Sequence, residues 1–137
     1  MERILIVDDS PTDVLLVQRA LAKYGDVLTL LSASDGVDAL QLLERAYLSQ
    51  ELPSLVLLDL NLPAMDGIEV LSRIKGDPRW TELPVVMMST SDRKSDVRRA
   101  YRHHASGYVA KPMGFSELQG CMDKIIDYWF DFVLLPA

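Results

Sequence analysis

Leu55-Val56-Leu57-Leu58-Asp59-Leu60-Asn61 runs four branched apolar residues directly into a carboxylate. A run this short, with no polar alternation, fits a strand covered on both faces, the habit of parallel sheets packed between helices. Asp59 then emerges at the carboxyl edge of that sheet, where open α/β folds gather their ligands near the reversal of strand order. What else the chain brings to that carboxylate decides the chemistry.

Arg3-Ile4-Leu5-Ile6-Val7 repeats the pattern and ends in Asp8-Asp9, so a second strand delivers acid to the edge. Ser10 is a good N-cap, Pro11 suits the first helical position, and Asp13 favours the helix dipole. Val14, Val17, Leu21 and Tyr24 share one face of the helix that follows, and Gly25 stops it. Leu15 and Leu16 lie partly off that face, as a docking surface or as the flank of a broad buried stripe. Val27 to Leu31 reads as the next strand, and Ser34 or Asp35 opens a helix with Ala39, Leu40, Leu43 and Tyr47 inward.

Beyond Asp59, a loop rich in turn formers leads to a helix capped by Asp66, with Val70, Leu71 and Ile74 inward. Lys75-Gly76-Asp77-Pro78 breaks it, and Trp80 with Leu83 folds the connection back. Val85 to Met88 is the fourth strand and ends in Ser89-Thr90-Ser91. Asp92 to His104 reads as a helix with Val97, Ala100, Tyr101 and His104 on one face. Gly107 to Ala110 is a short fifth strand that delivers Lys111-Pro112. The alternation predicts an α/β fold, a doubly wound parallel sheet of five strands flanked by five helices.

At 137 residues the chain fits one domain. A net charge of −6 argues against a nucleic-acid partner, since neutralising phosphates takes clustered Lys and Arg. The one basic concentration, Arg93, Lys94, Arg98, Arg99 and Arg102, reads as a solvated or protein-contacting helix face. His103 and His104 are adjacent and point apart on a helix, so they do not share a metal ion. The single cysteine, Cys121, lies on the apolar face of the last helix and reads as a small core residue. With strand signals starting at the first residues and no long apolar run, the expectation is a cytoplasmic chain with no membrane partner.

The carboxyl edge therefore collects Asp8, Asp9, Asp59, the Asn61 backbone, Ser89 with Thr90, and Lys111. Three carboxylates this close raise one another's pKa unless a cation sits among them. Oxygen ligands without His or Cys select a hard ion, and Mg²⁺ prefers a few carboxylates, waters and a phosphate oxygen. Asp59 can then attack phosphorus and form an acyl phosphate, with Mg²⁺ and Lys111 screening the phosphoryl charge and Ser89 donating to it.

From Ile4 to about Ile126 these residues resemble the receiver domains of two-component response regulators. The motifs that carry the resemblance are Asp8-Asp9, Asp59, Pro63 with Asp66-Gly67, Ser89 and Lys111-Pro112. The resemblance implies the flavodoxin-like strand order 2-1-3-4-5. It implies that Asp59 takes phosphate from a sensor histidine kinase, and that Asp9, Asp59 and the Asn61 carbonyl hold Mg²⁺, with Asp8 acting largely through water. It also implies that Ser89 and Tyr108 form the switch and that the Lys111-Pro112 bond is cis.

With no DNA-binding or enzymatic segment after the last helix, the chain is expected to act as a single-domain regulator, a phosphoacceptor that catalyses its own phosphorylation and dephosphorylation. Residues 1–127 form the receiver and 128–137 an apolar extension. Leu118, Cys121, Met122, Ile125, Ile126, Trp129, Phe130, Val133 and Leu134 make a stripe longer than one domain face needs, and the tail is expected to form a homodimer contact. An alternative folds the tail back over its own sheet. The tail resembles that of small regulators paired with bacterial phytochrome kinases, which implies a bacteriophytochrome as the kinase. Two rivals are weaker on the residues themselves. A pseudo-receiver would lack an acid, the hydroxyl or the lysine, and a phosphatase of the haloacid-dehalogenase kind needs an acid where Asn61 stands.

Overall fold

The computed structural model describes residues 1–136. The elements alternate as expected: β1 (Glu2–Val7), α1 (Pro11–Leu21), β2 (Leu28–Ala33), α2 (Gly36–Leu48), β3 (Leu55–Leu58), α3 (Gly67–Gly76), β4 (Val85–Ser89), α4 (Lys94–Arg102), β5 (Gly107–Ala110) and α5 (Phe115–Ile126). The strands form one parallel sheet in the order β2-β1-β3-β4-β5.

Successive side chains of each central strand enter opposite layers. Leu5, Val7, Val56, Leu58, Val85 and Met87 pack under α2, α3 and α4, with Leu43, Leu71 and Ile74 closing that layer. Ile4, Ile6, Leu55, Leu57, Val86 and Met88 face α1 and α5, against Val17, Leu118 and Met122. All four residues of β3 are buried, which explains its unbroken apolar run. Each such side chain contributes about 2 kcal/mol by leaving water.

Three helices begin where the sequence places their caps. Ser10 Oγ accepts from the Asp13 N–H at 3.2 Å, Asp35 Oδ1 from that of Asp38 at 2.7 Å, and Asp66 Oδ1 from that of Glu69 at 2.9 Å. The register then sets the site. Val7 lies beside Leu58, Leu58 beside Met87, and Ser89 beside Ala110, so the residues that follow these strands come out at one level.

Several local expectations are corrected. The second strand starts at Leu28, because the Val27 N–H turns back onto the Tyr24 carbonyl at 2.9 Å and leaves Val27 exposed. Tyr47 is exposed, with the Arg79 guanidinium 5.8 Å from its ring centre, so amphipathic spacing extended one turn further than the core does. The fourth helix is shorter than Asp92 to His104. The Ser91 hydroxyl accepts the Arg93 N–H at 3.3 Å and holds the chain in a turn first, and His104, at φ 71°, lies beyond its end. Ala100 is buried in that helix while Tyr101 is exposed. The Lys111-Pro112 bond is trans, as are all peptide bonds among the described residues. The two isomers differ by only about 0.5–1 kcal/mol in an unconstrained chain, so the dipeptide alone does not choose.

Part of the tail folds back onto its own domain. After α5 the chain makes a six-residue π-type turn, Asp127–Phe132. Trp129 and Phe130 pack onto the domain's own α1/α5 layer, and Leu135 and Pro136 line a hollow beside Pro53 and Pro84. Phe132 and Leu134 point outward, 78% and 100% exposed.

Candidate functional site

Parallel pairing builds the site from backbone outward. The Asp59 N–H donates to the Val7 carbonyl at 2.9 Å, the Asp8 N–H to Ala33 at 3.0 Å, and the Lys111 N–H to Ser89 at 2.6 Å. Carboxylate oxygens of Asp8, Asp9 and Asp59 all come within 4.8 Å of one another. Asp8 is buried, Asp9 exposed and Asp59 between the two.

Lys111 Nζ reaches into this group. It lies 2.9 Å from Asp8 Oδ2, 3.0 Å from Asp13 Oδ2 and 3.8 Å from Asp59 Oδ2. The other Asp8 oxygen accepts the Ser10 N–H at 2.9 Å, and Asp59 Oδ1 faces the Asn61 N–H at 3.4 Å. Burial pushes the Asp59 carboxyl above its ordinary pKa; Lys111 opposes the shift and the charges of Asp8 and Asp9 add to it. Burial opposes the charge on Lys111, but hydrogen bonds to Asp8 and Asp13, with the charges of Asp59 and Asp8, together raise its pKa. The acids outnumber the cation, and a divalent ion would offset most of their excess charge. A donor set of oxygens alone suits a hard divalent ion.

Gly67 lets α3 approach this centre. A side chain there would overlap the Asp59 carbonyl oxygen and bring its Cβ 2.8 Å from Leu60 Cα. Ala64, in the intervening loop, adopts the left-handed conformation at φ 64°.

On the other side, Ser89 is fully buried at the end of β4. Its Oγ accepts the Ser91 N–H at 3.1 Å, and the Tyr108 hydroxyl donates to the Ser91 carbonyl at 2.8 Å. The two expected switch residues therefore meet through the backbone of one residue. Ser91 Oγ in turn donates to Asp96 Oδ2 on α4 at 2.5 Å. Thr90 is exposed beside them.

Residues 4–123 match the family described as the response regulator receiver domain. The chain belongs to that family. The receiver is 40% identical to the probable methanogenesis regulatory protein FilR2 of Methanothrix harundinacea, over 98% of this chain and 87% of that protein. It is 38% identical to the response regulator Rcp1 of Synechocystis, over 98% and 92%. Among solved structures, the phosphorylated cyanobacterial phytochrome response regulator RcpA superposes with a TM-score of 0.88 at 36% identity, covering 99% of both chains. The Mn²⁺-bound form of Rcp1 gives 0.85 at 36%, covering 100% of both. The receiver fold is thus shared along 99% of the chain, and its strand order is the one the resemblance implies. No helix among the described residues is long and apolar enough to cross a membrane.

All the acids expected at the receiver's edge are brought together, with Lys111 among them. Two participants went unread. Asp13 was legible as a dipole-favouring acid but not as a partner of Lys111, because 98 residues separate them. Ser91 was one hydroxyl in a run of three, with no local feature to mark it as the junction of Ser89 and Tyr108.

Proposed function

We propose that this receiver is the phosphoacceptor of a two-component relay, in which Asp59 takes a phosphoryl group from a sensor histidine kinase in a Mg²⁺-dependent reaction. The observation that carries the reading is the position of Asp59, at the end of a buried strand between Asp8 and Asp9 on one side and Lys111 on the other. An Asp59 oxygen forms the new bond to phosphorus as the donor's bond breaks and its electron pair departs with the leaving group. Asp9, Asp59 and the Asn61 carbonyl would hold the ion, with Asp8, whose two oxygens already have protein partners, contributing its charge beside them. A bound Mg²⁺ supplies charge that offsets the phosphoryl oxygens. Lys111 binds one of those oxygens, and the Ser89 hydroxyl donates to another after giving up the Ser91 N–H. The receiver speeds both its own phosphorylation and the later attack of water on the acyl phosphate.

The switch follows from the Ser91 junction. When Ser89 turns toward the phosphoryl group, it releases the Ser91 N–H, and the same residue's carbonyl holds the Tyr108 hydroxyl. Motion at Asp59 is thereby transmitted to the face formed by α4, β5 and α5. The likeness to RcpA, a cyanobacterial phytochrome response regulator, over 99% of both chains supports a phytochrome-class kinase as the partner. Exposed Phe132 and Leu134 support a homodimer contact through the last helix and tail.

Phosphate uptake from acetyl phosphate, read by intact mass, tests the central claim. One phosphoryl group that needs both Mg²⁺ and Asp59 is the expected result, and uptake by Asp59→Asn at the wild-type rate would refute it. Sedimentation of both phosphorylation states, with Phe132→Asp and Leu134→Asp alongside, tests the dimer. Equal self-association in both states removes the link between phosphorylation and assembly.

A further inference from the structure

Asp13 occupies the third position of α1, three residues after the Ser10 cap, where an acid commonly reaches back to the cap's own N–H. Here that N–H is already bound to Asp8 Oδ1 at 2.9 Å. The Asp13 carboxylate turns outward from its helix instead, and its Oδ2 takes Lys111 Nζ at 3.0 Å. With Asp8 at 2.9 Å, two acids hold the ammonium in hydrogen bonds while Asp59 Oδ2 stays 3.8 Å away. The lysine is displaced toward α1, off the phosphoacceptor.

We propose that Asp13 is a latch on Lys111, a positioning residue that holds the ammonium away from Asp59 until a phosphoryl group draws it across. The proposal rests on the reading of Asp59 as the phosphoacceptor. Phosphorylation takes that side chain from one negative charge to about two and adds three strong acceptors. Two of the ammonium's three donors are held on the α1 side by Asp8 and Asp13, so moving it across to a phosphoryl oxygen stretches one of those two contacts.

Burial decides which partner goes. The Asp8 side chain is 4% exposed and Asp13 36%, so releasing Asp8 strands a buried carboxylate whereas releasing Asp13 returns one to water. A cavity of about 30 Å³ is lined by Asp13, Asp59 and Lys111, with Leu16, Val17 and Leu57 behind them. The space thus borders the ammonium together with both the acid that holds it and the one it would approach. Asp13 exchanges no proton in this step; it only loses or regains its contact with Lys111.

The full chain with Mg²⁺ and beryllofluoride, a non-transferable phosphoryl mimic, tests the latch. Asp13→Asn and Asp13→Ser are expected to bind the mimic about five- to tenfold more tightly than wild type and to take up phosphate from acetyl phosphate faster, the size of a partly exposed charge-assisted bond. Asp13→Glu, which keeps the charge, restores wild-type affinity, and Asp92→Asn, an exposed acid after β4 that does not touch Lys111, leaves it unchanged. Affinity unaltered or weakened in both neutral variants overturns the latch, as does an equal gain in Asp92→Asn, which would mark a general charge effect. A wild-type chain that neither binds the mimic nor takes up phosphate overturns the phosphoacceptor reading and the latch with it, whereas normal wild-type uptake with unaltered Asp13 variants overturns the latch alone.

Discussion

The same substitution at two glycines of α3 should move stability in opposite directions. Gly67 opens the helix against the loop that leaves β3, where an added Cβ overlaps the Asp59 carbonyl oxygen and lies 2.8 Å from Leu60 Cα and 2.9 Å from the Leu60 oxygen. Every one of those neighbours is backbone, so no side chain can rotate away. Relief requires the helix start to withdraw, at the expected cost of over-packing, about 1–3 kcal/mol. It also stretches the bond from the Gly67 N–H to the Leu60 carbonyl, now 2.8 Å, for about 1 kcal/mol more. Gly76, at the other end of the helix, has no atom within 4 Å of its would-be Cβ. Alanine there gains helix propensity and restricts the unfolded chain, stabilising by about 0.5–1 kcal/mol.

Urea denaturation of Gly67→Ala and Gly76→Ala should therefore show midpoints on either side of wild type. The two variants should differ by about 2.5–5 kcal/mol with unchanged slope. Phosphate uptake should fall only in Gly67→Ala, because the displaced backbone belongs to Asp59. A Gly67→Ala chain of wild-type stability with full uptake would show that the close approach of α3 is not what holds the phosphoacceptor.

Three further outcomes are expected. Mg²⁺ should raise stability by about 1.4 kcal/mol for each tenfold excess over its Kd, with EDTA reversing the gain; Asp9→Asn should lose most of this response, and a full response in that variant would remove Asp9 from the ion. Ala64→Gly should stabilise the chain by about 0.5–1 kcal/mol, because glycine adopts the left-handed conformation without the Cβ penalty; a lower midpoint in urea would contradict the strain at φ 64°. The Tyr24 hydroxyl donates to Asp123 Oδ1 at 2.6 Å, and burial together with that carboxylate pushes its pKa up to about 12. The folded state thus keeps a proton that the unfolded chain sheds near pH 10, so this contribution is complete below pH 10 and is lost as pH rises toward 12. The ultraviolet difference titration between wild type and Tyr24→Phe should have its midpoint near 12, and a midpoint near 10 would mean the contact does not form.

The order of elements, the helix starts at Ser10, at Ser34 or Asp35, and at Asp66, and the delivery of Asp8-Asp9, Asp59, Ser89 and Lys111 to one edge were all legible in the sequence. Each depends on local pattern: apolar period, side chains that cap the next three residues, and strands that end where charge begins. Parallel strands joined by helices must present their carboxyl ends on the same side, so the edge follows from the alternation. What remained hidden depends on which of several equally suitable partners lies nearby in space. Tyr47 has helical spacing for the core, yet the layer ends before it, and Trp129 and Phe130 turn inward while Phe132 and Leu134 do not. Asp13 could have closed a capping box with Ser10, but Asp8 had already taken that N–H, and only the pairing of distant strands brought Lys111 within its reach. Sequence therefore determined which acids, hydroxyl and lysine end the strands and the edge they occupy, because these follow from short-range geometry. Tertiary structure decided which charges share the lysine and how Ser89 connects to Tyr108, because the first depends on strands about a hundred residues apart and the second on the register between β4 and β5.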